Sequence, residues 1–600
     1  MLIPKLITLL ILILSQIISA ADSPNILWIT SEDNNVDWVG CYGNPEAKTP
    51  NIDRMATEGF QYMYAYANAP VCAPMRSTWI TGMHALSNGT MPMRSRNDIP
   101  HDLIPYYPDQ LKIGGYFTSN PGKTDYNIGG RNDSDTWDNS KNISWAKLKE
   151  EQPFFHVINL NQSHESRAQG DVGNTNFSPA DVELPVYHPD LPGMRENYAK
   201  YHDAVERMDV KLGQVLEQLE ATGMAENTIV IYNSDHGGVL PLSKRYLFKS
   251  GIHCPLVIRI PEAYKDLWPV ATPGSKVNRM VSFVDMPKTW LSLTGCPIPE
   301  SMQGTIFLGP NAEPEEPFHF AYRGRMSERL DNARAVYDKQ YVYIRNYMPY
   351  VPWVQHLDYL WKMKATQVWE EAVESGQATE VQARFFVPKE YAEELYDLER
   401  DPDNVHNLIN QPEQEQRVQQ MRQALGQWQR AIFDTALIPE SEMMKRAQEK
   451  GVTIYELARN PDWYPLDELI DAANLALERN PKNIPELHRL LQVDDSGLRY
   501  WGMVGIFILE DDSAINIGLV DESDEVRALA AWLAITSLRE EEGVQTLKTL
   551  LDEQSYATLT VLNMIDWIGG EPASKLLPTV RALEMKDSEQ RMKENLLLSN

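Results

Sequence analysis

The apolar positions of this chain fall into three successive patterns. Lys5 is followed by an almost wholly apolar run, Leu6 to Ile18, and then by small residues, Ser19-Ala20-Ala21. A positive start, a short apolar core and small residues predict a cleaved export signal over residues 1–21, with an uncleaved anchor as the competing reading. Beyond it come short, continuously apolar runs: 25–30, 154–160, 228–232 and 256–260. Runs of this length bounded by polar residues predict strands buried on both faces. Between them Val205, Met208, Leu212, Val215, Leu216 and Leu219 recur at helical spacing, and Gly223 ends the pattern. Strands alternating with a helix predict an open α/β sheet.

After about residue 310 the pattern changes. Residues 333–337 and 340–345 predict a hairpin across Asp338-Lys339, residues 394–398 a further strand, and residues 413–433 a helix. From about 445 the chain reads as all-helical. Asp494-Asp495-Ser496-Gly497-Leu498-Arg499 is similar to Asp521-Glu522-Ser523-Asp524-Glu525-Val526-Arg527, and each opens an apolar helix. Two such starts predict HEAT-like helical pairs, with a generic helical bundle as the alternative. The expected organisation is a leader at 1–21, an α/β domain at 22–310, a smaller α+β unit at 311–440 and a helical extension at 445–600.

At 600 residues, 43% hydrophobic and 23% charged, the chain is long enough for several units and a large core. An export signal permits disulfides, yet Cys41, Cys72, Cys254 and Cys296 are scattered without metal-binding or redox spacing. A net charge of −29 argues against nucleic acid and anionic membranes as partners, and no later segment predicts a membrane span. It also means that an anionic substrate would need a locally basic pocket.

In an open α/β sheet, ligands bind beyond the carboxyl ends of the strands. Those ends carry Glu32 and Asp33, then His164, then Asp235 and His236. Carboxylates and histidines gathered there suggest a metal site.

The segment Val71-Cys72-Ala73-Pro74-Met75-Arg76-Ser77, leading to Thr81-Gly82, resembles the Cys-x-Pro-x-Arg signature of the type I sulfatases of the alkaline phosphatase superfamily. The resemblance runs in order through residues 24–440, and Met75 is an unusual occupant. Alone, Cys72 would read as a small buried hydrophobe. The resemblance implies its conversion to formylglycine, whose hydrated aldehyde is a nucleophile activated by one bound calcium. It implies metal ligation by Glu32, Asp33, Asp235, His236 and the modified Cys72, with Glu32 standing where aspartate is commoner. It also implies Arg76, Lys123, His164 and Lys244 as the groups that hold sulfate and protonate the leaving alcohol. Asp125 replaces the histidine usual after Lys123. Arg94, Arg96 and Asp125 are candidate contacts to the rest of the substrate, whereas nothing assigns His202 a ligand role.

Within that family, Cys-Ala-Pro-Met-Arg, the stretch 163–166 and Lys244-Arg245 look most like bacterial heparan N-sulfatase-like enzymes, whose relatives act on algal polysaccharides. The resemblance thus implies a secreted or periplasmic hydrolase of sulfated carbohydrate, matured by a formylglycine-generating enzyme, with an alkaline-phosphatase-like domain, a small α+β subdomain and a helical tail open to a protein partner. A phosphodiesterase-type relative on the same fold, or a non-catalytic glycan-binding protein with Cys72 unmodified, are the alternatives.

Overall fold

The computed structural model describes residues 23–599, so the expected leader lies outside the described residues. Seven strands form the main sheet: β1 (Asn25–Ser31), β2 (Phe60–Tyr66), β3 (Phe117–Ser119), β4 (Phe154–Leu160), β5 (Thr228–Ser234), β6 (Leu256–Arg259) and β7 (Ser275–Ser282). Their order is β3-β4-β1-β5-β6-β2-β7. Central β1 is buried throughout, and its middle, Ile26 to Ile29, is apolar because both faces are covered. Leu27 and Ile29 enter one core while Ile26 and Trp28 enter the other, as the two-residue period of a strand requires. β1 runs parallel to β4 and to β5, and β6 alone is reversed between β5 and β2. The connection from β5 to β6 holds only a four-residue helix, Lys249–Ile252, and no long crossover helix, so the chain re-enters the sheet antiparallel.

Register does the positioning. Ser31 pairs with Leu160 on one side and Ser234 on the other, so β1, β4 and β5 end level. Residues 32–33, 161–164 and 235–236 therefore leave the sheet at one edge. Helix α1 (Cys72–Thr81) begins at the same edge and is buried along its whole length, which is why it has no polar face to read in the sequence. The amphipathic helix α2 (Pro192–Ala221) packs its apolar stripe on the sheet and stops before Gly223, whose φ of +74° suits glycine.

Four antiparallel strands follow: β8 (His319–Arg323), β9 (Ala333–Tyr337), β10 (Tyr341–Asn346) and β11 (Glu393–Asp397), in the order β11-β10-β9-β8. The β9–β10 hairpin is the expected one, with Tyr337 opposite Val342. This small sheet does not build a core of its own. Ala333, Ala335 and Tyr337 join one core of the main sheet, while Val336 and Tyr343 join the other.

From Glu440 onward the chain is helical and has a separate apolar core. Ser496–Ile508 packs on Asp524–Thr536, which packs on Thr558–Ile568, and Glu540–Glu553 packs on Gly570–Ala582 behind them. The two similar helix starts are joined directly. Arg499 forks onto the carboxylate of Asp521 at 2.9 and 3.0 Å, so a residue of the first start binds a residue of the second. Among the described residues, no helix is long and apolar enough to cross a membrane, and all four cysteines are free.

One buried acid gives the helical region a pH dependence. Burial, helped by Glu442 and Asp524, pushes Glu525 up to about 7 against hydrogen bonds from Ser441 and Thr560. A carboxyl whose folded pKa is raised contributes stability that is complete below its unfolded pKa and is lost as pH rises through about 7. Thermal midpoints measured from about pH 5 to 8 are expected to fall for the wild type and to stay flatter for Glu525→Gln. The gap corresponds to an order of about 3 kcal/mol.

Candidate active site

Asp33, Asp235 and His236 bring one ligand atom each to within 4.8 Å of one another, and all three are fully buried. His236 Nε2 is 2.8 Å from Asp33 Oδ1 yet makes no hydrogen bond of proper geometry. Burial disfavours its charge, but Asp235 and Asp33 push it up to about 9. A ring nitrogen without a hydrogen bond, set between two carboxylates, fits one divalent cation, which would replace that proton. Gly237 lets this turn form, because a Cβ there would lie 2.1 Å from the carbonyl oxygen of Ser250.

Around this trio the charges alternate. Lys244 Nζ donates to both oxygens of Asp33 at 2.9 and 2.7 Å and lies 3.3 Å from Glu165. Arg245 forks onto Glu165 at 2.6 and 2.9 Å. The Glu165 backbone N–H donates back to Asp33 at 2.7 Å, and the Tyr201 hydroxyl donates to the Asp33 carbonyl. Against burial, Lys244 and His236 hold Asp33 well below the usual carboxylate range, and Asp33 and Glu165 hold Lys244 above the usual lysine value. Both stay ionised.

Arg76 lies one turn along α1 from Cys72. Its Nε and Nη2 donate to Asp235 Oδ2 at 3.3 and 3.1 Å, and its Nη1 donates to Asn159 on β4 at 2.8 Å. Lys123 Nζ donates to Glu32 at 2.7 Å, and the carboxylates of Glu32 and Asp235 help keep that ammonium above its ordinary value against burial. Glu32 thus stands outside the Asp33–Asp235–His236 trio. Its carboxylate meets Lys123, with His164 Nε2 at 3.6 Å. The Cys72 side chain starts α1, only 2% exposed, beside the His236 ring and within the electrostatic reach of Arg76, Lys123 and Lys244.

His164 caps a short helical turn, and its Nδ1 accepts from the Ser166 backbone N–H at 3.2 Å. Because a backbone N–H can only donate, the proton of the neutral ring sits on Nε2. Burial lowers the pKa of His164, so the neutral ring is the favoured form. Arg94 and Asp125 bind each other, and Asp125 also lies 3.7 Å from Lys123. Arg96 is exposed on the same loop. His202 stacks on Phe177 with ring centroids 3.9 Å apart, a packing role. Glu165, Arg245 and Asn159 had been given no role from the sequence. The only signal there was that Glu165 follows His164 and Arg245 follows Lys244.

Cys72, His164, Lys244 and Arg245 open onto one cavity of about 1060 Å³. A buried cysteine set among cations, beside a trio able to hold a metal ion, is an arrangement suited to hydrolysing a small anionic ester.

Comparison with known proteins agrees. The sulfatase family model matches residues 24–296. An ulvan-active sulfatase of Formosa agariphila is 31% identical over 474 residues, covering 71% of this chain and 78% of that one. Human N-sulphoglucosamine sulphohydrolase is 24% identical over 468 residues, covering 68% and 90%. Among solved structures, a 2-O GAG sulfatase superposes with a TM-score of 0.51 at 16% identity, covering 69% of this chain and 93% of that one. The phosphonate monoester hydrolase of Agrobacterium radiobacter superposes with a TM-score of 0.50 at 15% identity, covering 68% and 96%, so the fold alone does not select the ester. The chain belongs to the sulfatase family, in the alkaline-phosphatase-like superfamily, and is a sulfuric ester hydrolase.

The charge ring makes a testable demand. Glu165→Ala would leave Arg245 buried without its partner, at a cost of about 3–5 kcal/mol. Urea unfolding is expected to show that loss, and kcat is expected to fall with it because Lys244 loses one of its two anions.

Proposed function

We propose that this enzyme removes sulfate from a sulfated carbohydrate, through a formylglycine made from Cys72 and with one calcium ion held by Asp33, Asp235 and His236. The observation that carries the reading is the cluster of Arg76, Lys123 and Lys244 around Cys72, in a chain of net charge −29. Basic groups gathered at one point of so acidic a chain favour a small, strongly acidic ester group. The relatives named for ulvan and for N-sulphoglucosamine support carbohydrate as the sulfate bearer. The carboxylate-rich trio favours calcium over zinc, and two aspartates with one histidine are fewer nitrogen ligands than a two-zinc phosphodiesterase site needs.

Formylglycine at residue 72 would supply an oxygen nucleophile, and a cation held by Asp33, Asp235 and His236 would supply the Lewis acidity that activates it. The chain's own residues do the rest. Arg76 is held against Asp235 and Asn159, which fixes its guanidinium beside residue 72. Lys123 and Lys244 remain charged, so both can neutralise sulfate oxygens as the ester bond breaks. His164 carries its proton on Nε2 and can donate it to the leaving alcohol. Glu32 sits between Lys123 and His164, where it orients both. Because Cys72 is buried in the folded protein, a maturation enzyme would have to reach it before α1 packs. An export signal at 1–21 would place the enzyme outside the cytoplasm or in the periplasm.

Three measurements test this. Protein made in a host with the maturation enzyme is expected to release sulfate from heparan or ulvan oligosaccharides, and Cys72→Ala to lose about 10⁴-fold or more. Mass spectrometry of the wild-type peptide is expected to show the aldehyde at residue 72. A plain thiol there, with no sulfate released, would transfer the reading to a glycan-binding protein. Chelation with EGTA is expected to abolish turnover, with calcium restoring it more fully than zinc.

A further inference from the structure

The cavity at Cys72 is larger than its chemistry needs. At about 1060 Å³ it matches the upper end of pockets that enclose a whole drug-sized ligand, about 300–1,000 Å³, whereas one sulfated sugar would leave much of it unfilled. Its far wall comes from the helical extension, including Tyr500, Tyr556 and Thr560.

That wall is fixed against the catalytic domain. Arg325 forks onto Glu440 at 2.6 and 3.0 Å, donates to the Met93 carbonyl at 3.0 Å and reaches Ser588 Oγ at 3.3 Å. One guanidinium therefore ties the loop after α1 to the first and last helices of the extension. Arg591 pairs with Glu328 at 3.1 Å and Arg329 with Asp566 at 2.6 Å, so two more ion pairs cross the same seam. The same contacts cancel Glu440 and Glu328, acids that would otherwise repel an anionic chain.

The two walls differ in character. The catalytic wall carries Lys244 and the exposed Arg96. The extension wall carries the rings of Tyr500 and Tyr556 and the hydroxyls of Ser555 and Thr560, alongside charged Lys586, Asp587 and Glu589. Tyr556 is 45% exposed and donates its hydroxyl to Gln448, which holds its ring in place. Thr560 and Ser441 donate to Glu525, so that acid is covered by hydroxyls. A cavity with Lys244 and Arg245 beside Cys72 and aromatic rings on the extension wall fits an oligosaccharide with its sulfate at one end and neutral sugar faces beyond it.

We propose that the helical extension is a substrate-binding element, in which Tyr556 receives the sugar adjoining the one that loses sulfate. This rests on the carbohydrate sulfatase reading above. Tyr556 lies within the extension and touches no reacting atom, so it acts through the flanking sugar.

The test compares sulfate release from heparan and ulvan tetrasaccharides with release from the matching sulfated monosaccharides. Full-length wild type, Tyr556→Ala and Tyr556→Phe are assayed, and tetrasaccharide binding to each is measured by calorimetry in a Cys72→Ala background. The wild type is expected to favour tetrasaccharide by about tenfold or more in kcat/KM, chiefly through KM. Tyr556→Ala is expected to erase most of that preference, and Tyr556→Phe, which keeps the ring, to retain it. A wild type with no length preference, or a Tyr556→Ala loss equal on both substrates, would overturn the proposal. If nothing is hydrolysed yet tetrasaccharide still binds and Tyr556→Ala weakens it, the subsite stands and the sulfatase reading on these carbohydrates falls. If tetrasaccharide does not bind, the subsite falls.

Discussion

Asp33 is a carboxylate with no exposure to water, and a buried charge is tolerable only with partners. It has three: Lys244 on its oxygens, His236 beside it and the Glu165 backbone N–H behind. Each partner imports a further demand. Lys244 and Arg245 share Glu165, while Asp235 needs Arg76, which leans on Asn159. The result is a closed chain of alternating charges across the ends of β1, β4 and β5. It holds only because those three strands end in register, so the sheet and the site are one constraint seen at two scales.

The same alternation reconciles an acidic protein with an acidic substrate. Around Cys72 the cations Lys123, Lys244 and Arg76 converge, each held by a carboxylate: Glu32, Asp33 and Asp235. Farther along the cavity, Glu440 and Glu328 are tied to arginines, and at Glu525 burial favours the neutral acid.

The helical extension changes the shape of that place. It packs against the segment following α1, where Arg459 donates to the Ser87 carbonyl. Ile454 crowds Gly89 so closely that a Cβ there would lie 2.5 Å away. The nucleophile helix is therefore backed by the main sheet and also braced beyond its C-terminus by helices joined to the chain hundreds of residues later.

Much of this was legible in the sequence, for definite reasons. Strands β1, β4 and β5 are buried on both faces, so their apolar runs stand out, and the polar residues that follow them marked the site. The hairpin at 333–345 and the amphipathic helix α2 declared themselves through their periods of two and 3.6 residues. Strands β2, β3 and β7 were not legible: β3 has three residues, and β7 is an edge strand with exposed polar positions. The fully buried α1 has no polar face, and only its motif identified it. Sequence alone determined which residue types stand at the strand ends and in what order. Tertiary structure alone decided that Glu32 meets Lys123 while Asp33, Asp235 and His236 converge, that Glu165 and Arg245 complete the ring, and that the extension closes the cavity. Those outcomes depend on pairing charges far apart in the chain, and no local pattern encodes which buried charge will meet which.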